Sequence, residues 1–130
     1  MLRFAATILM VCLVSTGCSG DDAYGSSSPP ATAGSSALNG CSTFGAGDAI
    51  AWTMASNPPS TCLRVKKGGT VTWNGDLGAH PLAPKGGDAG NPITAVASGS
   101  SKVFTFDTPG TYGFVCTSHA SMTGAISVVE

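Results

Sequence analysis

The sequence predicts an all-β domain, an antiparallel sandwich of short strands. Three observations predict it. Gly (18) and Pro (8) are frequent, and Val and Thr recur between them, which favours short strands joined by turns over helices. Several runs alternate apolar and polar residues with period two, the signature of a half-buried strand. Turn residues separate those runs, as at Gly68-Gly69 and Pro109-Gly110.

The elements follow in order. Met1 to Arg3 gives a short positive start, Phe4 to Val14 an apolar stretch, and Ser15 to Gly17 a run of small residues. Residues 1–17 are therefore expected to be a signal peptide. The apolar stretch is short of the roughly 20 residues a permanent spanning helix needs. Cys18 follows the small residues directly, which resembles a bacterial lipobox, although its third preceding position is Ser15 where an aliphatic residue is usual. Cys18 is the expected lipidation site, with ordinary cleavage nearby as the rival. More than one acyl chain would be needed for stable anchoring. Residues 18–39 are rich in Ser, Gly, Ala and Pro and read as a flexible tether.

Residues 40–130 are expected to form the folded domain. Candidate strands are Ala49 to Met54, Cys62 to Lys66, Thr70 to Asn74, Lys102 to Phe106, Thr111 to Val115 and Ala125 to Val129. A core of roughly 90 residues is small, so a disulfide and a metal would both add stability. Charged residues make up 10% of the chain and the net charge is −1, which excludes a nucleic-acid binder built on a basic patch.

The cysteines and histidines carry the chemistry. Cys12 lies in the signal and Cys18 takes lipid, which leaves Cys41, Cys62 and Cys116. Export implies an oxidising compartment, where one cysteine of three must stay unpaired. Cys116 stands in the run Cys116-Thr-Ser-His119-Ala-Ser-Met122, which offers a thiolate, an imidazole and a thioether within seven residues. The second histidine, His80, lies 36 positions before Cys116. Two imidazoles, one thiolate and a weak thioether suit copper in both oxidation states, whereas a thioether is a poor zinc ligand. Cys116 is thus the expected metal ligand, and Cys41–Cys62 the expected disulfide.

The segments Val65-Lys-Lys-Gly-Gly-Thr-Val-Thr-Trp73, the His80 loop and Pro109 to Gly124 together resemble the cupredoxins, in the plastocyanin and amicyanin branch. The short Cys-x-x-His-x-x-Met loop is similar to that of amicyanin. The resemblance implies a Greek-key β-sandwich of about seven or eight strands with one type 1 (blue) copper ion near one end. It implies His80, Cys116 and His119 as close ligands and Met122 as the long axial one. It also implies an apolar docking patch for electron transfer, here Pro81, Leu82, Pro84 and Ala120 with Met122. Pro81 departs from the pattern, because it lacks the backbone N–H that would support the thiolate. That departure is expected to lower the reduction potential. Val115 stands where plastocyanin has an aromatic residue, which leaves a single expected route through His119.

The expected function is electron transfer, shuttling single electrons between redox proteins of a bacterial cell envelope. The alternative is copper delivery, but the chain has no Met- or His-rich tract. An enzyme is not expected, since two histidines cannot build a second copper centre. The expected protein is a monomeric, membrane-anchored lipoprotein facing the periplasm or the cell surface. Mass spectrometry of the exported protein is expected to find an acylated Cys18 as its first residue. An unmodified N-terminus downstream of Cys18 would remove the anchor.

Overall fold

The computed structural model describes residues 37–130. The expected signal peptide, Cys18 and most of the expected tether lie outside the described residues. The described residues hold eight strands and no helix: β1 (Gly45–Ala46), β2 (Ala49–Ala51), β3 (Cys62–Lys66), β4 (Gly69–Asn74), β5 (Leu82–Gly87), β6 (Ser101–Phe106), β7 (Gly110–Cys116) and β8 (Thr123–Val129). They form two sheets, ordered β1-β3-β8-β7-β5 and β2-β4-β6. The all-β sandwich expected from the sequence is thus observed.

The expectation of an antiparallel sandwich needs correction. The pairs β1/β3, β3/β8 and β2/β4 are parallel, and only β4/β6, β5/β7 and β7/β8 are antiparallel. Side-chain alternation has period two in either direction, so it reveals which face is buried and not which way a neighbour runs. The strand expected at 49–54 is also shorter. The Trp52 N–H makes the last bond to β4, at the Asn74 carbonyl, and the Thr53 N–H then donates to Ser56 Oγ (2.7 Å) while Ser56 Oγ bonds back to the Ala51 carbonyl. These local bonds turn the chain before the alternation ends. Strands β1 and β5 were not expected.

Burial follows the pattern of each strand. In β4, Val71 and Trp73 face the core, and in β6 Phe104 and Phe106 face it. Central β7 and β8 are buried along nearly their whole length. Their inner faces pack against the three-stranded sheet, and a second cluster of Cys41, Phe44, Cys62 and Ala125 with Leu38 covers part of the outer face. The core is dominated by aromatic rings. Trp52 and Trp73 both meet Phe114 edge to face, with centroids 5.7 and 5.0 Å apart, a favoured arrangement for ring quadrupoles.

A tight turn at Asn39-Gly40 brings the start of the domain onto this outer face. Both residues have positive φ (50° and 83°), as the mirror-image hairpin turn requires. The Asn39 amide donates to the Lys85 and Gly124 carbonyls at 2.8 and 3.1 Å. Gly113 is required beneath it, because a Cβ there would overlap the Lys85 carbonyl and the Asn39 amide. The Cys41–Cys62 disulfide, expected from the sequence, ties this segment to β3.

That cross-link spans 21 positions, so it restrains an unfolded loop by about 3 kcal/mol. Replacing both cysteines with alanine is expected to lower the unfolding free energy by about that amount, read from urea unfolding as a lower midpoint with a slope that is the same or steeper, because the unlinked unfolded chain exposes more surface. An unchanged midpoint would show that the link adds nothing.

Candidate metal centre

Two loops at one end of the sandwich carry the candidate ligands. Cys116 is the last residue of β7. It continues the inward alternation of Tyr112 and Phe114, so its thiol enters the core and is 1% exposed, with no disulfide partner. The following loop is compact. The Cys116 N–H donates to the Met122 carbonyl (2.8 Å), and the Met122 N–H donates to the His119 carbonyl (2.9 Å). Thr123 Oγ1 then donates to the Phe114 carbonyl (2.7 Å), which fixes the exit into β8.

The His80 loop joins β4 to β5. The Asp76 carboxylate accepts the Gly78 and Ala79 N–H groups at 2.9 and 3.0 Å, and the His80 N–H donates to the Asp76 carbonyl at 2.9 Å. This is an Asx-type turn, in which a short acidic side chain satisfies the backbone of a bend. The Trp52 indole Nε1–H donates to the His80 carbonyl at 2.8 Å. The Thr117 N–H donates to the Pro81 carbonyl at 2.9 Å and joins the two loops.

The result is a convergence of donors. One ligand atom each from His80, Cys116 and His119 lies within 4.8 Å of the others. The two Nδ1 atoms are 3.2 Å apart, and Cys116 Sγ is 3.6 Å from His119 Nδ1. Metal bonds of about 2.0–2.1 Å to imidazole nitrogen and about 2.3 Å to thiolate let one ion reach all three. The donor set therefore fits a metal ion, and its softness suits copper. Both imidazoles are half-buried, so the site lies at the surface of the core. Met122 is fully buried in the same cluster as Cys116.

A family model for copper binding proteins of the plastocyanin/azurin family matches residues 46–129. The chain belongs to that family. It is a cupredoxin. Among solved structures it is similar to a reduced amicyanin variant, with 26% identity over 66% of this chain and 84% of that one (TM-score 0.43). It is similar to a purple cupredoxin from Nitrosopumilus maritimus, with 23% identity over 51% of this chain and 75% of that one (TM-score 0.38). It is also similar to a copper-containing nitrite reductase from Thermus scotoductus SA-01, with 26% identity over 55% of this chain (TM-score 0.44). The match spans only 20% of the reductase. A search of curated proteins returns no match.

The expected docking patch of this cupredoxin needs correction. Leu82 is 1% exposed, because β5 starts there and its side chain turns inward opposite Cys116. Met122 is likewise buried. Neither can belong to an exposed surface. Ala120 and Pro84 are exposed and Pro81 is half-buried. Pro84 sits on the edge strand β5, where a missing N–H breaks no internal ladder. Sequence reasoning also missed Trp52 and Asp76. Asp76 had a local signal in the run Asp-Leu-Gly-Ala before His80, whereas Trp52 lies 28 positions from its partner.

The N–H groups of Ala79 and then Gly78 hold the Asp76 carboxyl below its ordinary value of 3.8. Folding thus favours the carboxylate, so its contribution is complete above the ordinary value and is lost as pH falls through the lowered one. Asp76→Asn keeps an acceptor oxygen without the charge. It is expected to be less stable than the parent at neutral pH, with the gap closing below about pH 4 in urea unfolding. A gap that is equal at both pH values would rule out the charge as the cause.

Proposed function

We propose that this cupredoxin is a one-electron carrier with a single type 1 copper ion held by His80, Cys116 and His119, with Met122 as a distant fourth ligand. The observation that carries the reading is the buried, unpaired Cys116 thiol with two imidazole Nδ1 atoms converging beside it. Copper, when bound, supplies a one-electron couple between its +1 and +2 states.

The chain's own residues do the rest. Cys116 offers a soft anionic sulfur shielded from water by the core. His80 and His119 are held by hydrogen-bonded backbone, so little movement is needed when the charge of the site changes. His119 is half-exposed beside exposed Ala120, which supports its imidazole as the contact through which an electron enters or leaves. Transient docking of other redox proteins over this end fits a surface with few charges. A lipid at Cys18 and the tether would hold the domain at a bacterial envelope membrane while leaving it free to reorient.

Among the described residues no backbone N–H donates to Cys116 Sγ, whose 3.6 Å neighbour His119 Nδ1 is itself a proposed ligand, and Pro81 has no N–H to offer. This supports a strongly donating thiolate and a lowered reduction potential.

Copper(II) added to the full chain is expected to give an intense blue absorption and reversible one-electron voltammetry, both lost in Cys116→Ser. Retention of the parent's colour by Cys116→Ser would sink the reading, and rapid handover of copper to a chelator would favour delivery instead. In the same voltammetry, Pro81→Ala is expected to raise the potential. A potential that falls or stays put would refute the argument about the missing N–H.

A further inference from the structure

The two buried tryptophans differ in one respect that bears on the site. Trp52 and Trp73 are both fully buried and both pack edge to face on Phe114. Among the described residues Trp73 Nε1 has no hydrogen-bond partner, whereas Trp52 Nε1 donates to the His80 carbonyl at 2.8 Å. A buried indole N–H can satisfy itself with any nearby acceptor, and Trp73 shows that this core tolerates one that does not. The bond from Trp52 is therefore more than a requirement of burial.

Trp52 is also anchored at its backbone. Its N–H donates to the Asn74 carbonyl at 2.7 Å. Gly75 lets the chains approach there, because a Cβ on residue 75 would overlap the Trp52 carbonyl. The ring thus extends from the end of β4 to the His80 peptide. The ring meets Phe114 edge to face, two residues before Cys116 on β7. One rigid side chain touches the strand that delivers the thiol and the peptide that carries the distant imidazole.

We propose that Trp52 is a positioning residue for His80: its indole N–H fixes the His80–Pro81 peptide plane and so sets where the His80 imidazole stands relative to Cys116 and His119. Pro81 adds to this, since its ring restricts φ on the other side of the same peptide. With that plane held, the His80 ring keeps only its own two side-chain torsions. The inference rests on the reading of these residues as copper ligands.

Trp73→Phe provides the internal control. Both Trp52→Phe and Trp73→Phe shrink a ring against Phe114, but only Trp52→Phe removes a hydrogen bond. In the copper-loaded full chain, Trp52→Phe is expected to release copper to a chelator about fivefold to tenfold faster than the parent, the worth of one hydrogen bond. Its visible absorption and copper hyperfine splitting are expected to shift. Trp73→Phe should keep the parent's spectrum and stay within about twofold in release, even where its unfolding midpoint falls as far. A Trp52→Phe protein with the parent's spectrum and release rate would overturn the proposal.

Should Trp52→Phe fail to fold, the parent carries the test by NMR. Loading with copper(I) is expected to slow solvent exchange of the Trp52 indole proton and shift its resonance more than those of Trp73. Equal responses, or none, would overturn the proposal. A parent that never turns blue would instead overturn the electron-transfer reading, so the two failures are separable.

Discussion

The hydrogen bond from the Thr117 N–H to the Pro81 carbonyl joins two loops that the chain separates by more than 30 residues. Two of the three converging donors, His80 and His119, lie on those loops, and Cys116 ends the strand that leads into the second. The β5/β7 ladder sets the loops side by side, since Leu82 pairs with Cys116 and the Thr117-to-Pro81 bond extends that pairing by one step. The His80 loop crosses from one layer to the other, the second loop joins neighbouring strands β7 and β8, and the two are tied at one end of the sandwich. Every other feature of the site either brings a loop to that tie or stiffens it. Leu82 opposite Cys116 in the β5/β7 ladder continues the link into the sheet below.

The backbone around His80 is satisfied from three directions. Its N–H goes to the Asp76 carbonyl, its own carbonyl receives the Trp52 indole, and the next carbonyl receives Thr117. A loop with this many fixed peptide groups has few ways to rearrange. For the proposed electron carrier that would matter more than affinity, since reorganisation between oxidation states slows electron transfer. The same economy explains the location of the thiol. Cys116 takes its burial from the alternation of β7, so no separate device is needed to exclude water from it.

What the sequence made legible depended on how local each signal was. Strands β3, β4 and β6 are readable because one face is buried and the other wet, as in Val71 and Trp73 against Thr70 and Thr72. Strand β5 is not, because Leu-Ala-Pro-Lys-Gly-Gly has neither alternation nor β-propensity and becomes a strand only by pairing with β7. The cluster of His80, Cys116 and His119 was legible because only two histidines exist and one cysteine had to be left over. The error at Leu82 came from treating sequence neighbours of His80 as surface neighbours, when the strand begins there and turns the side chain inward. Trp52 could not be read at all, since nothing near residue 52 indicates an acceptor at residue 80.

The buried polar groups left without partners refine this view of the core. Trp73 Nε1, Thr111 Oγ1 and Ser127 Oγ are all buried and unpaired, and Thr111 and Ser127 face each other across the β7/β8 ladder. Each such group costs about 1–3 kcal/mol of desolvation, a substantial burden for a domain with a small core. None of the three belongs to the converging donor cluster, whereas the His80 N–H, the His80 carbonyl and the Pro81 carbonyl are all paired. Hydrogen bonding in this protein is thus spent first at the metal end and tolerated as incomplete elsewhere. The disulfide and the Asn39 turn act on the outer face, away from the aromatic core, and offset that cost without constraining the loops. Stability and ligand geometry are in this way assigned to different parts of one small sandwich, which lets the site be rigid while the remainder needs only to stay folded.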